Sequence, residues 1–207
     1  MAKPVVGVTI GDPAGIGPEV SLKALLNGRV YDYCRPVLVG DLKLLEETSR
    51  HLHLKANFRS LASPRDSEGM KGTIEVIDLK NVNVEKLRFG VASPEGGKAS
   101  IEYIEKAVEL AVRHELDAIA TAPINKEAIR MAGCKYPGHT ELLGALVNVK
   151  DPLVMFWVSG VGIFFLTRHL PLAEAIKHVK KERIVNVTEK INKALRDIGI
   201  RNPRIAV

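Results

Sequence analysis

With 207 residues, 46% of them hydrophobic and 26% charged, the chain is composed like a folded protein of one large or two small domains, not like a disordered one. The most apolar stretch, Leu153 to Leu166, is broken by Ser159, Gly160 and Gly162 and falls short of the roughly 20 apolar residues that a membrane-spanning helix needs. The balance of 30 Lys+Arg against 24 Asp+Glu gives +6, but these residues are scattered and not interleaved with Tyr or Phe, which argues against a nucleic-acid partner.

In chain order, Pro4 to Ile10 is a near-continuous β-branched run that predicts a buried strand of a parallel sheet. It ends in Gly11-Asp12-Pro13-Ala14-Gly15-Ile16-Gly17, after which Pro18 opens an apolar-periodic helix through Val20, Ala24 and Leu25. Pro36 to Gly40 predicts a second strand, with Asp41 as the N-cap of a helix over Leu42–Ser49. Residues 55–72 are polar and rich in Ser, Pro and Gly, which predicts a surface connection. Thr73 to Leu79 reads as a strand, and the loop Gly90 to Gly97 leads into a helix whose stripe is Ile101, Ile104, Val108, Ala111 and Val112. Asp117 to Thr121 is another short strand. Pro152 to Val158 and Ile163 to Thr167 predict a hairpin around Ser159–Gly162, and Pro171 opens a helical stretch ending near Gly199.

Strands alternating with helices imply an α/β sandwich. Without an export signal, Cys34 and Cys134 are expected to be free thiols in a reducing cytoplasm. The final Arg204-Ile205-Ala206-Val207 reads as the opening of a buried strand.

Four segments carry candidate chemistry. The strand–GDPAGIGPE–helix unit, with Asp12, Gly15 and Gly17, lets a ligand approach the backbone and offers free helix N–H groups to an anion. Its glycines match neither a G-x-G-x-x-G fingerprint nor a Walker loop, and a tight turn serving no ligand explains them equally well. Lys126, in Thr121-Ala122-Pro123-Ile124-Asn125-Lys126, follows a strand and can reach a phosphate or carboxylate there; a solvated lysine is the plain alternative. In Tyr136-Pro137-Gly138-His139-Thr140-Glu141, Thr140 reads as an N-cap beside a histidine, a credible anion clamp; a capping threonine beside a surface histidine is the plain alternative. His169, in Thr167-Arg168-His169-Leu170-Pro171-Leu172, stands before a proline-started helix and could ligate a divalent metal, although no histidine or cysteine partner has ligand spacing. His51, His53, His114 and His178 sit in polar settings and are expected at the surface.

Together GDPAGIGPE, TAPINKEAI, GHTELL and TRHLPL, in this order, resemble the 4-hydroxythreonine-4-phosphate dehydrogenase family, the vitamin B6 biosynthesis enzyme and its relatives acting on threonate or erythronate 4-phosphate. The resemblance runs from Pro4 to Val207. It implies a two-lobed α/β/α sandwich like that of isocitrate and isopropylmalate dehydrogenases, whose opening loop GDPAGIGPE also resembles. The lobes are expected over 1–125 and 126–207, both incomplete because family members continue beyond Val207.

The implied reaction is NAD- or NADP-linked oxidation of a secondary alcohol on a phosphorylated four-carbon hydroxy acid, followed by loss of carbon dioxide. A divalent metal (zinc, cobalt, magnesium or manganese) would stabilise the developing charge. By the same resemblance His139 and Thr140 fall on the substrate-binding pair, and His169 falls on one of three metal histidines, the other two lying beyond Val207. A homodimer is implied as well. A dihydrodiol carboxylate dehydrogenase of the same family and a non-catalytic phosphosugar-binding module are the competing readings.

Overall fold

A computed structural model describes residues 3–207. They form two compact units that divide between Asn148 and Val149, where the sequence reading has its boundary after residue 125.

In the first unit, β1 (Val5–Thr9) is followed by α1 (Gly17–Leu26), β2 (Arg35–Gly40) and α2 (Leu42–His51). Then come β3 (Asn57–Ser60), β4 (Thr73–Asp78), α3 (Pro94–Val112) and β5 (Ala118–Thr121), and two short helices, α4 (Lys126–Met131) and α5 (His139–Leu146), close the unit. The strands make one sheet in the order β3-β4-β2-β1-β5, and every neighbouring pair is parallel. Right-handed crossovers decide the layering. The connections from β1 to β2 and from β2 out to the edge strand β3 step one way and carry α1 and α2; the chain then steps back from β3 to β4 without an α-helix, and from β4 to β5 with α3, which the same rule puts on the opposite face. The core is filled from both faces by side chains such as Leu22, Leu38, Leu44, Ile74 and Tyr103, all buried.

The helices start where short-range chemistry allows. Asp41 caps α2 as the sequence implies, its Oδ1 accepting from Leu44 N at 2.9 Å while Oδ2 accepts from Val82 N at 3.1 Å. Ser93 caps α3 by accepting from Gly96 N at 3.0 Å, with Pro94 in the first turn. α4 and α5 pack on α3, with Ile104, Val108 and Leu142 forming their own small cluster. That packing is why both helices belong with the first unit.

The stretch 55–72 is more than a connection: it holds β3 and a 3-10 turn at Pro64–Asp66. Parallel pairing of Asn57–Ser60 with Thr73–Val76 forms the strand despite its polar sequence. Buried Glu75 then gathers the following loop, accepting from Ser67 Oγ at 2.6 Å, Glu68 N at 3.0 Å and Gly69 N at 3.3 Å.

The second unit contains β6 (Met155–Val158), β7 (Val161–Phe164), α6 (Leu172–Lys177) and α7 (Lys181–Asp197). β6 and β7 form the expected antiparallel hairpin, but its turn is only Ser159-Gly160, since Val158 already pairs with Val161. Both turn residues have positive φ, 47° and 85°, as a two-residue primed turn requires. The helical stretch after Pro171 is two helices, interrupted by the extended backbone of Lys180. Val187, Ile191 and Leu195 of α7 bury against Met155, Phe164 and Leu166. Residues 201–207 take no regular strand.

No described helix is long and apolar enough to cross a membrane. Cys34 and Cys134 are both free thiols.

Candidate functional site at the carboxyl edge of the parallel sheet

β1 lies between β2 and β5, so the strand order reverses across it. In an open parallel sheet such a reversal opens a crevice outside the carboxyl ends of the two strands concerned, here β1 and β5. The loops after those strands are the GDPAGIG and TAPIN segments, and they are tied together: Asp12 N donates to Pro123 O at 3.0 Å. Gly11 takes φ +72°, and a Cβ there would stand 2.2 Å from Pro123 O. Gly17 is packed as tightly, with a Cβ position 2.1 Å from Ile10 O. Glycine is therefore required by backbone approach alone, whether or not a ligand binds. α1 begins at Gly17 without a side-chain cap; Pro18 has no N–H and Val20 N donates to Ile16 O at 3.0 Å, so only the Gly17 and Glu19 amides of the first turn lack a helical partner.

Asp12 is 4% exposed, with Oδ1 accepting from Ala14 N at 2.9 Å. Burial pushes its carboxyl above the usual carboxylate range, and the Ala14 amide offsets part of that rise. Gly15 N closes the turn on Asp12 O at 3.0 Å, so Gly15 shapes the loop.

α3 and the loop before it close over this turn, a contact absent from the sequence reading. A Cβ on Gly96 would meet Asp12 Oδ1 at 3.1 Å, Gly90 N in the preceding loop donates to Ala14 O at 2.8 Å, and Ser100 Oγ, bonded to Gly96 O at 2.8 Å, also lies 3.3 Å from Gly11 O. The paired glycines Gly96-Gly97 inside a helical pattern were the available signal, since they mark close backbone approach.

Asn125 ends the β5 loop and caps α4, its Oδ1 accepting from Glu127 N at 2.9 Å and Ala128 N at 3.1 Å. Asn125→Ala is expected to cost about 1 kcal/mol in chemical denaturation; a change below a few tenths would mean that packing alone holds α4.

Lys126 is the exposed first residue of α4. Its Cε lies 3.8 Å from the position a Cβ on Gly138 would take, and Glu141 Oε2 lies 3.9 Å from the same point. The structure thus brings Lys126 to the start of α5, beside His139 and Thr140.

Thr140 is not the N-cap. Gly138 holds that place in an extended conformation, and α5 begins at His139, so no side chain caps the helix and Thr140 falls within its first turn. Both His139 and Thr140 are half-buried. His139 Nε2 is shielded from solvent and has no hydrogen-bond partner among the described residues. Desolvation lowers the imidazole pKa from 6.5, which leaves the ring neutral at pH 7.

Well above pH 6.5 both folded and unfolded chains carry a neutral ring, and the group adds no pH dependence. As pH falls below that value the unfolded chain takes the proton first, so stability declines until the folded pKa is passed. An NMR titration of the His139 ring is expected to show a midpoint below 6.5, and a midpoint at or above 6.5 would contradict its burial.

Asp41, at the end of β2, stands where a doubly wound sheet often recognises a ribose. It is 2% exposed with both oxygens engaged by amides, so it is not free for that role.

In the second unit His169 is exposed with φ 57°, between the β6–β7 hairpin and α6. Among the described residues no group of three or more His, Cys, Asp or Glu side chains could hold a metal ion. The residues present do not make a metal site around His169. His51, His53, His114 and His178 are exposed, as their polar settings implied.

Comparison with known proteins bears on this arrangement. The family model of the pyridoxal phosphate biosynthetic protein PdxA matches residues 32–207. A Clostridium botulinum protein named "Putative D-threonate 4-phosphate dehydrogenase" is 42% identical over 205 residues, covering 99% of this chain and 61% of its own length. The chain therefore spans about 61% of the length of that curated relative. A 4-hydroxythreonine-4-phosphate dehydrogenase structure from Burkholderia phymatum matches with TM-score 0.91 and 37% identity over 99% of this chain and 62% of that one. A terephthalate 1,2-cis-dihydrodiol dehydrogenase from Burkholderia xenovorans shares the fold, with TM-score 0.70 and 24% identity over 97% of this chain and 60% of that one. The four motifs, the parallel sheet and the family match over residues 32–207 lead to one conclusion: this chain belongs to the pyridoxal phosphate biosynthetic protein PdxA family.

Proposed function

We propose that this chain is part of a cytoplasmic, homodimeric dehydrogenase acting on a phosphorylated four-carbon hydroxy acid, 4-hydroxythreonine 4-phosphate or threonate or erythronate 4-phosphate. The observation that carries this reading is the start of α5, where His139 and Thr140 share an uncapped first turn and the imidazole Nε2 has no protein partner. The names of the relatives support the same substrate class.

The chemistry follows from neutral polar groups at that turn. The imidazole can donate or accept through one ring nitrogen, and the Thr140 hydroxyl can do either. Together with the first-turn amides they suit an oxyanion or a substrate hydroxyl. NAD or NADP is the expected cofactor, held for the most part by residues outside those described. When bound, that nucleotide supplies the hydride acceptor for oxidation of the secondary alcohol. The resulting 3-keto acid is set up to lose carbon dioxide, the reaction sequence of the isocitrate and isopropylmalate dehydrogenases, whose loop GDPAGIGPE resembles. For the divalent metal, His169 would be one ligand, its partners coming from outside the described residues.

The test is nicotinamide reduction with phosphorylated and unphosphorylated substrates, in the presence of divalent metal. Turnover is expected only with the phosphorylated acid, and His139→Ala is expected to lower kcat/KM by about 100-fold. Turnover of an unphosphorylated cyclic diol carboxylate alone would favour the dihydrodiol reading. Binding without reduction of nicotinamide would favour a phosphosugar-binding module.

A further inference from the structure

We propose that Lys126 is a phosphate-contacting residue of the same site and the one that selects a phosphorylated substrate over an uncharged analogue. The inference rests on the reading of His139 and Thr140 as substrate contacts, and it adds a residue from a separate helix.

The root of Lys126 is fixed. Asn125 pins the first turn of α4 through two amides, and Ala128 and Ile129, 0% and 1% exposed, anchor the helix against α3. Gly97 makes that contact close enough that a Cβ on it would stand 2.0 Å from Ala128 O. From this anchored base the side chain runs to Gly138, so its ammonium is delivered beside the His139–Thr140 turn.

The tip is uncommitted. Lys23, Lys106 and Lys177 each reach a carboxylate within one helical turn, but among the described residues Lys126 makes no ion pair or hydrogen bond. The nearest opposite charge at Gly138 is Glu141, which faces the same backbone point. A lysine acts on phosphate as a compact point charge, and it needs no fixed fork geometry to do so. An anion on His139 and Thr140 would meet this ammonium across Gly138, which has no side chain to block it. A neutral imidazole and a hydroxyl distinguish a dianion from a hydroxyl group only weakly; a full positive charge supplies the discrimination.

The experiment uses the isotope-labelled 207-residue chain and NMR titration with inorganic phosphate, methyl phosphate, acetate and ADP, following the His139 ring and the Lys126 Cε resonance. In the unchanged chain both phosphates are expected to shift both groups, and more strongly than acetate does. Lys126→Met is expected to weaken phosphate binding by about tenfold, the effect of losing one charge-assisted contact, while Lys126→Arg keeps most of the affinity. Resonances away from the site report that the exposed substitution leaves the fold intact.

Phosphate binding unchanged in Lys126→Met would overturn the proposal and leave His139 and Thr140 as the phosphate site. Phosphate shifting neither group in the unchanged chain would overturn both readings. Equal binding of acetate would remove the selectivity for phosphate, and Lys126-dependent binding stronger for ADP than for methyl phosphate would reassign the lysine to the nucleotide.

Discussion

Gly97→Ala is expected to destabilise the first unit by about 3 kcal/mol, although alanine is the better helix former. At an exposed helix position the exchange would gain about 1 kcal/mol from propensity. Here the added methyl would stand 2.0 Å from Ala128 O, 2.3 Å from Ala128 C and 2.7 Å from Ile129 N. All three atoms are backbone, so no flexible side chain can turn away. Relief requires α4 to move off α3, which uncovers Ala128 and Ile129 and shifts the root of Lys126. A fall in Tm of about 6–12 °C is the expected readout for a protein of this size. A rise in Tm would mean that α3 and α4 do not approach as described. The same variant is expected to weaken phosphate binding, because the lysine reaches Gly138 from α4.

Gly11→Ala is expected to cost about 3 kcal/mol as well, for two separable reasons. An L-residue at φ +72° pays about 1–2 kcal/mol for the left-handed backbone. The methyl would also meet Pro123 O at 2.2 Å, the carbonyl that accepts from Asp12 N. Gly72→Ala is the control: Gly72 has φ +90°, but nothing lies within 4 Å of its Cβ position. The control is expected to lose only the backbone part. The difference between the two denaturation midpoints therefore measures the close approach of the β1 and β5 loops, and equal losses would show that this approach carries no energy. Because the hydrogen bond holds the two sides of the crevice together, Gly11→Ala should also disturb the resonances of Asn125 and Lys126.

Much of the fold was legible because its signals are local. Asp41 sits directly before an apolar-periodic helix, and its carboxylate makes the capping bond that such a position allows. The hairpin was visible in two apolar runs around Ser159-Gly160. β3 was not, because Asn57, Phe58, Arg59 and Ser60 have no strand pattern of their own. They become a strand by pairing with β4, and Glu75 of β4 then holds the loop that follows. Thr140 misled for a similar reason. A threonine before an apolar face has the chemistry of an N-cap, but the extended backbone at Gly138 starts the helix earlier. The break at Lys180 between α6 and α7 carries no proline or glycine to announce it.

The sequence by itself determined the family, through four ordered motifs, and with it the candidate site residues Asp12, Lys126, His139 and Thr140. Local propensity also determined the parallel α/β alternation, since β-branched runs and apolar-periodic segments need only their own neighbours to be recognised. Only the tertiary structure decided which of those residues meet. Strand order places the reversal between β1 and β5, Gly97 draws α4 onto α3, and Gly138 leaves room for Lys126 beside His139. Such contacts depend on how separate elements pack, and a chain position carries no record of a neighbour supplied by another helix.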